Sequence, residues 1–349
     1  LKQLEAIYSM KKILYRAPYE IEVLEAEVPQ INDDQVLLKM VYAGVCGSDL
    51  QIYHGKHKYM TFPVVGGHEG SAVIEKVGAN VKDYKVGDRV AIEPQITCGT
   101  CKPCRMGRFN VCTHLKVMGT HCDGLMATYY ATDPKYLHHC PQDMPFELIT
   151  LVEPMAVAVG SVKRSHYKDA NIAVIGAGTI GNLIAQAAVA LGAGKVLLTD
   201  VVEDKLEYAR KCGLQYCVNT REKTLAQAIE ETFGDDGADV IIDAAGIPFT
   251  FNAALDAARP SSEIVMTANY KEPVSLEVPR IQRREINLIG HMMYVREDYQ
   301  DAIRFLYEGK VHVDGFITQR IPMVDVLKGY QEIDANPGKV MKAIIEISD

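Results

Sequence analysis

The stretch that most constrains the fold is Asn171 to Asp200. Asn171-Ile172-Ala173-Val174-Ile175 reads as a short buried strand, and Gly176-Ala177-Gly178-Thr179-Ile180-Gly181 follows it directly. An alanine-rich helix, Asn182 to Leu191, comes next, then a second strand, Lys195 to Thr199, closed by Asp200. A GxGxxG pattern alone is weak, but this one follows a strand, opens a helix and precedes an acid by about twenty residues. In that setting Gly176 and Gly178 allow a tight turn and close approach of a pyrophosphate, with Thr179 and Ile180 in the same turn. Gly181 lets helix and strand touch, and the helix N-terminus favours negative charge. Asp200 is expected to accept hydrogen bonds from the adenosine ribose and to repel a 2′-phosphate, which selects NAD over NADP. Its competing role is a cap of the next helix. Lys205 is expected within reach of the same ribose, against the plainer role of a solvated surface lysine.

The alternation continues through strands at Tyr216 to Val218, Val240 to Asp243, Ile264 to Ala268 and Ile286 to Ile289, with helices Thr224 to Phe233 and Phe251 to Ala258 between them. Six strands with intervening helices fit a doubly wound parallel sheet. Ala245, Thr267, Ala268 and Met292 are the further cofactor-binding candidates. After His291 come a helix, Tyr299 to Tyr307, a strand, Phe316 to Ile321, a helix near Val324 to Tyr330 and a last strand, Lys342 to Ile347. That tail is too short for a domain and is expected to return to the first one.

The first part of the chain has another texture. From Lys12 to Ile96 short alternating strands, among them Ile21 to Glu25, Gln35 to Val45 and Ser71 to Val77, are joined by Gly and Pro turns, as in a partly open barrel or sandwich. Cys98-Gly99-Thr100-Cys101-Lys102-Pro103-Cys104, with Cys112 eight residues on, can close a tetrahedral all-cysteine zinc site. Such a site has no open position, so its role is structural, holding a lobe from 94 to 117 with little apolar content. Unligated thiols are the alternative, but four so close are prone to oxidation without metal. Earlier, Ala43-Gly44-Val45-Cys46-Gly47-Ser48-Asp49 and Gly66-Gly67-His68-Glu69-Gly70 place a cysteine and a histidine 22 positions apart. Thiolate and imidazole are preferred zinc ligands, and few protein ligands leave a position open for substrate. Leu125 to Thr132 resumes strand character. Phe146 to Val152 is apolar and runs into Glu153-Pro154, with a helix expected from Met155 to Ser165.

A chain of 349 residues implies two domains. The divisions expected are 1–155, β-rich with the zinc lobe, 156–291, dinucleotide-binding, and 292–349, the return. A formal charge of −8 argues against a nucleic-acid surface, and no apolar run approaches the roughly 18–20 residues of a membrane span. Nine cysteines, an odd number, in a chain with no secretory signal pattern point to metal and free thiols in a reducing cytoplasm. Met10-Lys11-Lys12 is a candidate start, which would make Leu1 to Ser9 an added or leader segment.

These pieces together carry a family resemblance. Gly44 to Asp49, Gly67-His68-Glu69, the clustered cysteines, Glu153-Pro154 and Gly176 to Gly181 resemble, in order and spacing, the zinc-dependent medium-chain dehydrogenases over essentially the whole chain. Glu153-Pro154, where simple alcohol dehydrogenases carry a cysteine, is similar to the polyol and threonine branches. The resemblance implies a GroES-like catalytic domain plus a Rossmann domain, with the active site in the cleft between them. It implies two zincs per chain, one catalytic and one structural, NAD, and a homodimer or homotetramer joined through the Rossmann sheets, with Ile286 to Tyr294 as the edge. It implies that Cys46 and His68 ligate the catalytic zinc, that Glu69 and Glu153 compete for the remaining protein position, that Ser48 passes the substrate proton outward and that Asp49 orients His68. The competing roles are a helix cap for Ser48 and Glu153 and a salt-bridge partner for Glu69. The implied activity is oxidation of a secondary hydroxyl of a polyol, sugar alcohol or sugar acid to the ketose or keto acid. The alternatives are a threonine-type or simple alcohol dehydrogenase, an inactive zinc-binding scaffold, and a zinc ribbon on nucleic acid, which the acidic charge disfavours. The pattern departs at Gln51, where relatives carry a relay histidine that His54 or His57 would have to replace, at Ala72, at Thr267-Ala268-Asn269 and at His291-Met292-Met293.

Overall fold

The structure is a computed structural model that describes residues 9–336 and 338–348. Nearly all of the suspected leader, up to Tyr8, lies outside the described residues. Two units emerge from the contacts. One comprises residues up to Glu153 and from Gly315 onward, the other Pro154–Asp314.

The first unit opens with strands β1 (Ser9–Ala17) and β2 (Glu20–Glu27), an antiparallel pair, and β3 (Val36–Val45). Helix α1 (Gly47–Tyr53) follows, then β4 (Val64–Val65), β5 (Glu69–Val77), β6 (Arg89–Ile92) and β7 (Gln95–Ile96). After α2 (Lys102–Arg105) come β8 (Lys116–Val117), β9 (Tyr129–Thr132), β10 (Leu137–His139) and α3 (Phe146–Thr150). Only the second half of the Leu125 to Thr132 expectation is a strand. The first half is pinned singly instead, Leu125 and Met126 amides donating to the carbonyls of Gly67 and Gly66 at 2.9 Å each.

Helix α4 (Val152–Lys163) starts three residues before the expected Met155. Pro154 is its third residue, still within the first turn, where a missing N–H costs no hydrogen bond. In the second unit β11 (Ile172–Ile175), α5 (Thr179–Ala190), β12 (Val196–Asp200), α6 (Glu203–Lys211), β13 (Tyr216–Asn219) and α7 (Leu225–Phe233) alternate. They continue with β14 (Val240–Asp243), α8 (Pro248–Ala257), β15 (Glu263–Met266), α9 (Val278–Arg284) and β16 (Asn287–Gly290). The sheet is wholly parallel in the order β13-β12-β11-β14-β15-β16. Its central strands are continuous apolar runs buried on both faces, as a parallel sheet covered by helices requires.

The second unit runs on past the expected end at 291, because helix α10 (Arg296–Tyr307) is tied into it. Its Asp298 and Asp301 pair with Lys163 at 3.0 and 2.7 Å, and beyond it the His312 amide donates to the Gln186 side chain at 2.7 Å. The return to the first unit is β17 (Ile317–Pro322), α11 (Val326–Ala335) and β18 (Lys342–Glu346). β18 pairs with β3 and completes a seven-stranded sheet in the order β10-β6-β5-β3-β18-β17, with β9 also on β3. The last strand of the chain thus lies beside the strand that leads into Cys46.

Candidate active site and metal centres

The first site is built where β3, β5 and β18 lie side by side. Gly44 stands opposite Glu69 on β5 and opposite Ile344 on β18. A Cβ at Gly44 would lie 2.0 Å from Glu69 Oε2, so only glycine leaves room for that carboxylate. Cys46 caps helix α1. Its amide donates to Asp49 Oδ2 at 2.8 Å, while Asp49 Oδ1 faces His68 Nδ1 at 3.6 Å. Asp49 is fully buried, so one carboxylate fixes the backbone of the cysteine and the ring of the histidine together. The other ring nitrogen, His68 Nε2, looks toward Ser48 Oγ at 3.5 Å. Ser48 is the second residue of the helix, so the cap role belongs to Cys46.

Ligand atoms of Cys46, His68 and Glu69 all lie within 4.8 Å of one another. Burial works against a charge on His68, but Asp49, Cys46 and Glu153 outweigh it and raise its basicity well above the ordinary value. Glu153 is buried and is the second residue of α4, inside the helix rather than capping it. It acts on His68 electrostatically but does not join the close ligand group. Asp49, Cys46, Glu69 and Glu153 therefore gather negative charge in a buried place. That donor set, one sulfur, one imidazole and carboxylate oxygen, fits zinc with a position left open.

A residue that no motif marked completes the site. Lys342, on β18, is buried and forms an ion pair with Glu69, and its ammonium donates to the Val45 carbonyl at 3.2 Å. Burial opposes its charge, yet Glu69, Cys46 and Glu153 raise its basicity above the ordinary value. Of the residues offered as a replacement relay, His54 is engaged by Asp334 at 2.7 Å.

The second centre is the four-cysteine lobe. The Cys101 and Cys104 sulfurs are 3.3 Å apart, Cys101 and Cys112 3.8 Å, and Cys98 and Cys112 3.5 Å. A tetrahedron of sulfurs about 2.3 Å from zinc has edges of about 3.8 Å, so the cluster fits that ion with little movement. Backbone amides of Cys98 and His114 point at the Cys112 sulfur at 3.4 and 3.3 Å, as expected around thiolates. Amide donors lower the Cys101 thiol to about 5, while burial raises Cys104 to about 12. The lobe exposes Met106 and Val111, and β7 pairs only with β8, so it has little core of its own.

In the second unit the glycine turn is as tight as the pattern requires. Gly176 has φ +98°, and a Cβ at Gly181 would lie 1.7 Å from the Gly176 carbonyl oxygen. A Cβ at Gly178 would meet nothing within 4 Å, so its backbone faces open space, the approach a diphosphate needs. Thr179 and Ile180 begin helix α5. Asp200 Oδ2 accepts the Ala177 amide at 2.7 Å and Oδ1 the Val202 amide at 2.9 Å, so the acid braces the turn from the next strand. Lys205 is half-buried on α6. Asp243, fully buried at the end of β14, was not marked by sequence. It accepts the amides of Ala245 and Gly246 at 2.8 and 3.1 Å and the Tyr270 hydroxyl at 2.5 Å, while its carbonyl takes the amides of Thr267 and Ala268. Ala245, Thr267 and Ala268 are thus held by one residue. Met292 is exposed beyond β16.

The chain is similar to known proteins over nearly its whole length. The alcohol dehydrogenase GroES-like domain matches residues 32–142 and the zinc-binding dehydrogenase domain residues 179–308. The chain is 34% identical to D-arabitol-phosphate dehydrogenase of Enterococcus avium, over 95% of this chain and 97% of that protein. It is 32% identical to D-xylulose reductase of Saccharomyces cerevisiae, over 97% and 98%. The crystal structure of galactitol-1-phosphate dehydrogenase from Escherichia coli superposes with a TM-score of 0.89 at 29% identity, covering 96% of this chain and 99% of that one. The chain belongs to the zinc-dependent medium-chain dehydrogenases, in the branch that contains the polyol dehydrogenases.

Proposed function

We propose that the protein oxidises a secondary hydroxyl of a polyol, sugar alcohol or sugar acid to the ketose or keto acid, reversibly and with NAD. The observation that carries this reading is the close group Cys46, His68 and Glu69, braced by Asp49 and flanked by Ser48. When bound, zinc polarises a hydroxyl oxygen and lowers its pKa, and NAD accepts the hydride. Ser48 Oγ, beside His68 Nε2, takes the substrate proton and releases it toward solvent. Gln51, one turn further along α1, carries no titratable proton and cannot serve as the histidine of relatives does. Glu69 and Glu153 hold the negative charge that keeps a cation in place, and Lys342 restrains Glu69. The residue roles, including Cys98, Cys101, Cys104 and Cys112 as ligands of a second, structural zinc, are part of the proposal.

Asp200, the acid that closes β12 and braces the glycine turn, supports NAD over NADP, since a 2′-phosphate beside it would be repelled. Nine unpaired cysteines suit a reducing compartment, the cytoplasm. Among the described residues no helix is long and apolar enough to cross a membrane. The β16 edge, whose Leu288 and Ile289 are half-buried, suits pairing with a second copy in a homodimer or homotetramer. The test is NADH formation from a panel of polyols, sugar acids, threonine and simple alcohols, on protein whose zinc has been quantified. Turnover confined to polyols or sugar acids supports the reading, preference for threonine or a simple alcohol replaces it, and absence of any turnover favours the scaffold alternative.

A further inference from the structure

His57 and His121, both in the first unit, take no part in the ligand and proton roles assigned above. The turn that carries His121 lies against Gly67, the neighbour of His68: a Cβ at Gly119 or Gly124 would come within 2.5 or 2.2 Å of the Gly67 carbonyl oxygen, and His121 and His68 both act on His57. Tyr59 joins the pair. Its ring stacks on His121 with centroids 6.4 Å apart and 22° between planes, and it meets His57 edge-on at 6.3 Å. His121 Nδ1 accepts the Val117 amide at 3.2 Å, so the neutral ring carries its proton on Nε2, which is a donor. His57 Nδ1 is a buried ring nitrogen with no hydrogen-bond partner. Burial, then His121 and His68, depress the basicity of His57. A buried ring nitrogen left without a partner is costly, and in the tautomer that carries its proton on Nδ1 an anion accepting from it and from His121 would satisfy both rings. The nearby acids are engaged elsewhere: Asp123 accepts the Val65 amide at 3.0 Å, and Asp49 holds Cys46 and faces His68. Lys56 and Lys58, exposed on either side of His57, add positive field.

We propose that His57 and His121 together recognise an anionic group of the substrate, a phosphate or a carboxylate, with Tyr59 holding the two rings in register. The inference rests on reading the Cys46 and His68 centre as a site of polyol oxidation and deepens it. The preferred substrate is a polyol phosphate or a sugar acid rather than a neutral polyol. The anion accepts from His121 Nε2–H and from His57 in the tautomer that carries its proton on Nδ1.

The test uses the zinc-loaded enzyme with NAD and compares kcat/KM for a neutral polyol, its terminal phosphate and the corresponding sugar acid. Wild type is expected to prefer one of the anionic substrates, and which of the two it prefers identifies the anion. In His57→Gln, and in the variant that also carries His121→Gln, the ratio of anionic to neutral kcat/KM is expected to fall about tenfold to a hundredfold, the loss of hydrogen bonds to a charged group. Zinc content monitors the integrity of both variants. A second measurement needs no variant: inorganic phosphate should compete with the neutral polyol in wild type. Wild type that favours the neutral polyol, variants that retain zinc and the ratio, or phosphate without competitive effect would each overturn the proposal. Wild type inactive on every polyol class would overturn the polyol reading and this inference with it.

Discussion

The Glu69 and Lys342 pair gives a prediction whose size follows from burial. Both side chains are 2% exposed, so neither charge is relieved by water. Removing one partner of a buried pair leaves the other uncompensated and costs about 3–5 kcal/mol, whereas replacing both is close to neutral. Lys342→Met in the metal-free protein is therefore expected to destabilise the β3, β5 and β18 region by about 3–5 kcal/mol, and Glu69→Met by a similar amount. The double variant should lie within about 1 kcal/mol of wild type, a coupling of several kcal/mol in a double-mutant cycle. Native-state hydrogen exchange of the β3 and β18 amides reads the free energy locally, which avoids assuming one unfolding step for a chain of two units. With zinc present the same cycle should shrink, because the freed carboxylate then has a second cation to turn to. A metal-free coupling below about 0.5 kcal/mol would show that Lys342 is not what restrains Glu69, and would refute the reasoning.

Further outcomes follow from the other contacts. Ser48→Ala should keep its zinc but lose about 10²- to 10⁴-fold in kcat, the range of a positioned acid–base group, measured by NADH absorbance under saturating substrate. Asp200→Ala should narrow the preference for NAD over NADP and also loosen the glycine turn, since the Ala177 amide loses its acceptor; the ratio of kcat/KM for the two cofactors measures the first effect. In the metal-free lobe the lowered pKa of Cys101, about 5, keeps it a thiolate from mildly acidic pH upward, while Cys104, near 12, stays a thiol throughout. Iodoacetamide at pH 6 to 7 should therefore alkylate Cys101 before Cys104 by peptide mass spectrometry, and zinc should protect both.

Much of the site was legible because its chemistry is written in short, spaced motifs. The glycine turn, Asp200, the four cysteines, and Cys46 with Ser48 and Asp49 each announce a local geometry, and each sits in the strand, turn or cap that its neighbours imply. The ion pair that holds Glu69 was not legible, because it depends on a lysine from the far end of the chain that β18 brings beside β3. Nothing about Lys342 in an apolar final strand separates it from an edge lysine until the pairing is known. Asp243 is similar: it closes a parallel strand as Asp200 does, but its carboxylate turns inward to gather Ala245, Gly246 and Tyr270. The helix begins at Val152 rather than Met155 because proline is tolerated anywhere in the first turn, so Pro154 does not mark the start. That the second unit runs past 291 is not written locally either, because the ion pairs from Lys163 to Asp298 and Asp301 join residues far apart in sequence.

The central claim is an open zinc centre on Cys46 and His68 beside a closed one on four cysteines. Zinc-edge anomalous diffraction on the reconstituted protein tests it most directly, with Cys46→Ser as the partner sample. The account predicts two peaks per chain in wild type, one among Cys98, Cys101, Cys104 and Cys112 and one between Cys46 and His68, with only the second weakened or lost in the variant. A single peak in the cysteine lobe, or a second peak that is indifferent to Cys46, would contradict it.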